Sequence, residues 1–274
     1  MTPFEVTRPR ARETPVVVEV PHASVFVPPE FLDPLVAPVR SLGRDADLHV
    51  DALYDDAPDE GATLLVAKVS RYVVDLNRAE TDVDDGTVEG APSDTHMAHG
   101  LVWRVSTEGD RTLARALMRK ELELRLDAIH RPYHEALATL LAEKKARFGF
   151  AVLLAAHSMP SVARTQHGDA GKVRADVVPG TRGRTSAAAP FIDCVDAQAS
   201  AAGYTVRHDD PYRGGHATRH YGRPSDSVHA VQVELARRLY MDESTLARSA
   251  DRFARTRTFC RRLVRALGAV RPNS

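Results

Sequence analysis

Short aliphatic runs alternate along this chain with longer stretches of helical periodicity. The runs fall at residues 15–20, 64–69, 72–76, 151–156, 204–207 and 230–235. A strand covered on both faces reads as a nearly continuous apolar run, and strands joined through helices pair in parallel. The pattern therefore predicts an α/β fold whose mostly parallel sheet is covered by helices. A helix is expected from residue 45 or 47 to about 57, with Leu48, Ala52 and Leu53 on one face. A longer one is expected over 110–148, interrupted at Pro132, beyond which Tyr133, Leu137, Leu140 and Leu141 share a face. A C-terminal helix over about 243–268 aligns Leu246, Ala250, Phe253, Cys260, Val264 and Leu267, and its many arginines read as a solvated face. The polar stretches 80–99 and 164–186 are too long for plain connections and are expected to be functional loops or mobile segments. At 274 residues, the chain is expected to form a single domain, 1–274.

The chemistry sits where these runs end. Val20 leads into Pro21-His22-Ala23-Ser24, Leu76 into Asn77-Arg78, Ala156 into His157-Ser158, and the last run carries Glu234. Ligands of open parallel sheets bind outside the carboxyl ends of the strands, so these residues converge although they are far apart in sequence. Zinc accounts economically for His22 and His157, since a catalytic ion takes about three protein ligands and leaves a position for water. Within Asp45-Ala46-Asp47-Leu48-His49, Asp47 is the favoured third ligand; Asp45 and His49 are alternates, and a helix N-cap is the other role open to Asp47. Glu234 lies on an otherwise apolar strand, where a carboxylate must be paired, solvated or functional; beside an activated water it would serve as general base. Arg71, Arg78 and Arg213 could neutralise an anionic substrate, and Gly214-Gly215 would let the backbone approach a ligand closely.

Composition excludes several classes. Lys and Arg number 37, as do Asp and Glu, so no net positive charge exists to drive nucleic-acid binding. No apolar run approaches the roughly 20 residues that span a bilayer, and no signal-peptide core follows Met1. The two cysteines, Cys194 and Cys260, form no metal or redox spacing, so a cytoplasmic protein is expected. Zinc-protease helices, nucleophile elbows and phosphate loops are absent from the sequence. Twelve histidines are the unusual entry. His96 and His99 are placed at a cavity entrance, His130 and His134 are read as packed or solvent-facing, and one of His216, His220 and His229 as a possible substrate contact.

Several blocks carry a resemblance. Pro21-His22-Ala23-Ser24, Asp45-Ala46-Asp47-Leu48-His49, Val73-Val74-Asp75-Leu76-Asn77-Arg78, His157-Ser158-Met159, Pro211-Tyr212-Arg213-Gly214-Gly215 and Gln232-Val233-Glu234-Leu235 together resemble the N-formylglutamate amidohydrolase family. The resemblance implies a three-layer α/β/α fold with a mostly parallel mixed sheet, of the zinc-carboxypeptidase, phosphorylase/hydrolase-like kind. It implies a zinc-dependent amidohydrolase that converts N-formyl-L-glutamate to glutamate and formate in histidine degradation, with a small anionic N-acyl amino acid as its partner. By it, His22 and His157 match metal histidines and Glu234 the glutamate that serves the water; with Asp47 as the third ligand, the two histidines are expected to hold one zinc ion. The reading of the strand ends assigns Arg78 to catalysis and Arg71, Asn77, Tyr212, Arg213, Gly214 and Gly215 to the substrate. One position departs: Ala155 stands where many relatives carry an aspartate two residues before the second metal histidine. The rival expectations are a zinc deacylase or carboxypeptidase for another N-acyl amino acid or short peptide, and a member of the family without catalysis.

Overall fold

A computed structural model describes residues 2–93 and 97–272. Its sheet has six strands in the order β1 (Phe4–Thr7), β3 (Thr63–Ala67), β2 (Val16–Val20), β4 (Ala151–Met159), β6 (Val228–Ala236) and β5 (Val177–Gly180). The four central strands run parallel, and the two edge strands are antiparallel to their neighbours. The sheet is thus mostly parallel and mixed, with helices on both faces.

On one face, α2 (Val50–Leu53), α5 (Ala189–Ala201) and α7 (Ala250–Ala269) bury Leu53, Phe191, Ile192, Phe259 and Leu263 against Val16, Val18, Val152, Leu154 and Val231. On the other, α3 (Arg119–Arg125) and α4 (Arg131–Phe148) bury Leu122, Tyr133, Leu137 and Leu141 against Val17, Leu153 and Ala230. Among the described residues no helix is long and apolar enough to cross a membrane.

Several expected elements differ. Residues 72–76 form a buried turn, because the sheet position beside β3 is taken by β1. Residues 204–207 contribute only a bridge from Val206 to Val177. The helix expected from 45 or 47 is split: α1 (Val39–Asp45) ends there, Ala46 is extended, and α2 is a single turn. Residues 110–118 are irregular, held by isolated bridges at Arg111, Leu113 and Leu117. The interruption expected at Pro132 takes the form of a π-helical turn (Leu126–His130) just before it, within a helical stretch that otherwise continues from Arg119 to Phe148. The C-terminal helix begins at Ala250, not 243.

Candidate metal and catalytic site

The face of the sheet that carries α4 changes character along each strand. β2 presents Val17 and then Glu19; β4 presents Leu153, Ala155 and then His157; β6 presents Ala230, Gln232 and then Glu234. His157 and Glu234 are register partners on adjacent parallel strands. His22 follows the end of β2, and its carbonyl accepts a hydrogen bond from Asp47 N at 2.9 Å. The extended Ala46 between α1 and α2 makes that bond possible, so Asp47 arrives beside His22 through the backbone.

His22, Asp47 and His157 are 1–3 % exposed, and one ligand atom from each lies within 4.8 Å of the others. Asp47 Oδ2 is 3.1 Å from His157 Nδ1 and 3.5 Å from His22 Nδ1. His22 Nε2 lies 2.8 Å from Asp75 Oδ1, an oxygen that only accepts, so Nε2 carries the imidazole proton. In the neutral ring, Nδ1 then presents a lone pair to a carboxylate oxygen, and that buried nitrogen has no hydrogen-bond partner. Two electron-rich atoms held face to face call for a cation between them, so these residues fit a metal ion. Burial alone would raise the Asp47 carboxyl, but the neighbouring imidazoles, His157 first, outweigh it and hold the group well below the ordinary carboxylate range.

The alternates for the third ligand stand elsewhere. Asp45 accepts from Tyr72 Oη at 2.5 Å, Thr107 N at 3.0 Å and Arg164 Nη1 at 2.9 Å, which occupies its carboxylate. The His49 ring faces the C-terminal segment, with Nε2 3.1 Å from Leu246 O and Nδ1 accepting from Arg248 Nε. Asp47 is no side-chain N-cap, since α2 has none.

A cavity of about 360 Å³ opens over this group, lined also by Glu234, Arg71, Arg78, Asn77, Tyr212, Arg213, Gly214 and Gly215. Burial pushes the Glu234 carboxyl up to about 7, with His157 pulling the other way and Asp47 adding to the rise. Its Oε1 accepts from Gln232 Nε2 at 2.9 Å; Gln232 Oε1 in turn accepts from Gly215 N at 2.9 Å and Asn77 Nδ2 at 3.3 Å. Arg71 is already committed: its Nε and Nη2 both donate to Asp75 Oδ2, and its guanidinium stacks 4.2 Å from the Trp103 ring. Arg78 donates to His99 O and Asn77 O through Nε and Nη1. Arg213 is exposed at the cavity and has no carboxylate partner among the described residues. Tyr212 Oη accepts from Arg174 Nη1 at 3.0 Å. The glycines have two separate reasons: Gly214 takes φ +93°, and a Cβ on Gly215 would meet Asn77 Nδ2 at 2.3 Å. The close approach at Gly215 is therefore to Asn77.

Three neighbours of the site received no role from the sequence. Asp75 collects His22, Arg71, Trp103 Nε1 at 2.9 Å and Asn77 N at 2.9 Å on two oxygens. Arg237 donates to Ser158 Oγ, to Ala46 O at 2.6 Å and to Asp47 Oδ1 at 3.4 Å. Gln232 links Glu234 to the glycine loop. Asp75 and Gln232 carried the signal that singled out Glu234, a polar residue inside an aliphatic run. Glu19, the register partner of Ala155, places a buried carboxyl on the same face. Burial raises it to about 7, Tyr133 Oη donates to it at 3.1 Å, and its Oε1 has no partner.

Several other histidines hold the site loop. His134 Nε2 donates to Leu76 O at 3.0 Å, His216 N to Asn77 O at 3.2 Å, and His130 Nε2 to Arg78 O at 2.9 Å. Three consecutive carbonyls of the loop that presents Asn77 and Arg78 are thus each bound by a different histidine. His99 lines the cavity against Trp103, at 4.5 Å between ring centroids. His216, His220 and His229 do not line it, and His96 lies outside the described residues.

Comparison with known proteins places the chain in a family. The family model described as N-formylglutamate amidohydrolase matches residues 14–241. An N-formylglutamate deformylase of Pseudomonas aeruginosa is 37 % identical over 267 residues, covering 96 % of each chain. One of Pseudomonas putida is 35 % identical over 233 residues, covering 84 % of this chain and 83 % of that one. The crystal structure of N-formylglutamate amidohydrolase from Ralstonia eutropha JMP134 superposes with a TM-score of 0.89 at 32 % identity, over 97 % of this chain and 96 % of the other. With a match across most of its length and relatives this similar end to end, the chain belongs to the N-formylglutamate amidohydrolase family.

Proposed function

We propose that this chain hydrolyses the amide bond of an N-acyl amino acid, N-formyl-L-glutamate foremost, releasing formate and L-glutamate. The observation that carries the reading is the unpartnered His22 Nδ1 facing Asp47 Oδ2, beside a second imidazole and a carboxyl whose pKa lies near neutrality. The names of the Pseudomonas relatives support the substrate. His22, Asp47 and His157 would hold zinc, for which two imidazoles and a carboxylate are an ordinary donor set. When bound, that ion supplies Lewis acidity, polarising an amide carbonyl and acidifying water at neutral pH.

The rest of the chemistry falls to the chain. Gln232 engages Glu234 Oε1, so Oε2 takes the proton of the attacking water and passes it to the departing nitrogen. Two backbone carbonyls fix the Arg78 guanidinium and leave Nη2 to meet the oxyanion. Arg213, without an internal counter-ion, takes a substrate carboxylate in a forked pair, with Tyr212 and the Gly214-Gly215 backbone forming the adjoining wall. Asn77 holds that wall through Gln232 and its own contact with Gly215. Arg71 is a positioning residue rather than a substrate ligand, because it acts through Asp75 on His22.

Formate release measured beside metal content tests the proposal. Zinc near one equivalent per chain and formate release in proportion to it are expected. Full activity of metal-stripped protein would overturn the zinc assignment, and turnover confined to acetyl or aspartyl substrates would reassign the acyl group.

A further inference from the structure

α7 carries two stripes of arginine that differ in their surroundings. Arg257, Arg261 and Arg265 recur four residues apart, and each is bound to a carboxylate, Asp56 in the first case and Glu60 in the other two. Arg252, Arg255 and Arg262 form the other stripe and face a separate cleft of about 500 Å³. That cleft lies between α7, the end of α5 and the 3₁₀ turn Arg237–Leu239. It shares no lining residue with the catalytic cavity.

No aspartate or glutamate lines this cleft. Arg252 donates only to neutral acceptors, Ser249 Oγ at 2.9 Å and Met241 O at 3.4 Å. Arg255 and Arg262 make no ion pair among the described residues. A fourth guanidinium enters from the turn: Arg238 uses Nη2 for Asp176 Oδ1 and Arg174 O, both at 2.8 Å, while its Nη1 is buried without a partner. Four guanidinium groups thus surround one concavity with a single carboxylate among their partners. A solvated arginine face needs no concave surface, whereas here Arg252, Arg255 and Arg262 line one without a carboxylate partner among the described residues. Tyr204 and the largely buried Phe259, packed edge to face at 5.2 Å, add an apolar wall.

We propose that this cleft binds a small organic polyanion bearing two or more carboxylate or phosphate groups. The guanidiniums grip its oxyanions in forked hydrogen bonds, and Tyr204 and Phe259 receive its carbon skeleton. The site lies one residue from the catalytic cavity, since Arg237 faces Asp47 and Arg238 faces the cleft.

Isothermal titration of the full chain at low ionic strength, with citrate in one arm and adenosine diphosphate in the other, tests this. One equivalent is expected to bind in at least one arm; the responding arm distinguishes a carboxylate from a phosphate ligand. Arg255→Glu and Arg262→Glu are each expected to weaken binding about tenfold or more. Arg119→Glu, an exposed position on α3, makes the same change in net charge and is expected to leave binding unaltered. Circular dichroism checks folding, and Arg255→Gln with Arg262→Gln replace any reversal that does not fold. Absence of saturable binding in both arms would overturn the proposal. So would equal weakening by Arg119→Glu, or binding indifferent to Arg255 and Arg262. Binding is read as heat and stoichiometry, so the result is independent of the hydrolytic reaction.

Discussion

On the face covered by α5 and α7, three central strands carry Val16, Val18 and Val20, then Val152, Leu154 and Ala156, then Val231, Val233 and Leu235, and β4 turns polar only at Ser158, beside Asp47. On the opposite face the same strands carry Val17, Leu153 and Ala230 and then, towards their carboxyl ends, Glu19, His157 and Glu234. The period of two in a strand lets one segment serve both purposes without compromise. One face can be filled for packing, while the other gives up apolar burial in its final turn of the pleat to hold ionisable groups. The division teaches that stability and chemistry should respond to different substitutions only one residue apart.

Four experiments would break or sharpen that contrast. The largest effect is expected for Glu234→Gln, which keeps the shape and removes the proton acceptor. Turnover should fall about 10³-fold while bound metal is unchanged, and a variant retaining ordinary turnover would reject the role of Glu234. On the other face, Leu154→Ala should cost about 2–5 kcal/mol in denaturant unfolding with kcat preserved; a kcat loss without a stability loss would contradict the division.

Glu19→Gln comes next. Burial raises the Glu19 carboxyl from 4.5 to about 7, so the folded chain keeps a proton that the unfolded chain has released across that window. Stability contributed by the protonated form is therefore lost as pH rises through it. Glu19→Gln should be close to neutral near pH 4 and stabilise by roughly 3 kcal/mol above pH 7, read from melting curves across pH. A difference that does not change with pH would refute this account. The smallest effect is expected for Asp75→Asn, which weakens the support of His22 Nε2 and should lower metal affinity about 10–100-fold. Metal titration against a chelator measures it, and unaltered affinity would detach Asp75 from the site.

The central strands and the residues at their ends were legible because a doubly buried parallel strand leaves an unbroken aliphatic run, and a polar residue inside such a run stands out. The edge strands β1 and β5 are only four residues long and give no comparable signal. The run at 72–76 gives a false one, since a buried turn has the same composition as a buried strand. Choosing among Asp45, Asp47 and His49 depended on the extended Ala46, a backbone conformation that alanine does not announce. The commitments of Arg71 and Arg237 were hidden for another reason. A sequence indicates that guanidiniums are present, but only the folded chain decides which already have a carboxylate within reach.

The histidine clasp on residues 76–78 has a consequence for kinetics. Burial pushes His134 down to about 3, so its imidazole is a neutral donor throughout the range in which an enzyme is ordinarily assayed, and burial lowers His130 in the same direction. The contact of His134 with Leu76, beneath Asn77 and Arg78, is accordingly silent in a titration near neutrality. Glu234, which must be ionised to accept a proton, is pushed to about 7 by burial and pulled lower by any adjacent cation. An acid limb in the pH–rate profile, rising at or below about 7, would therefore report the chemistry at the strand ends and not the melting of the loop above them.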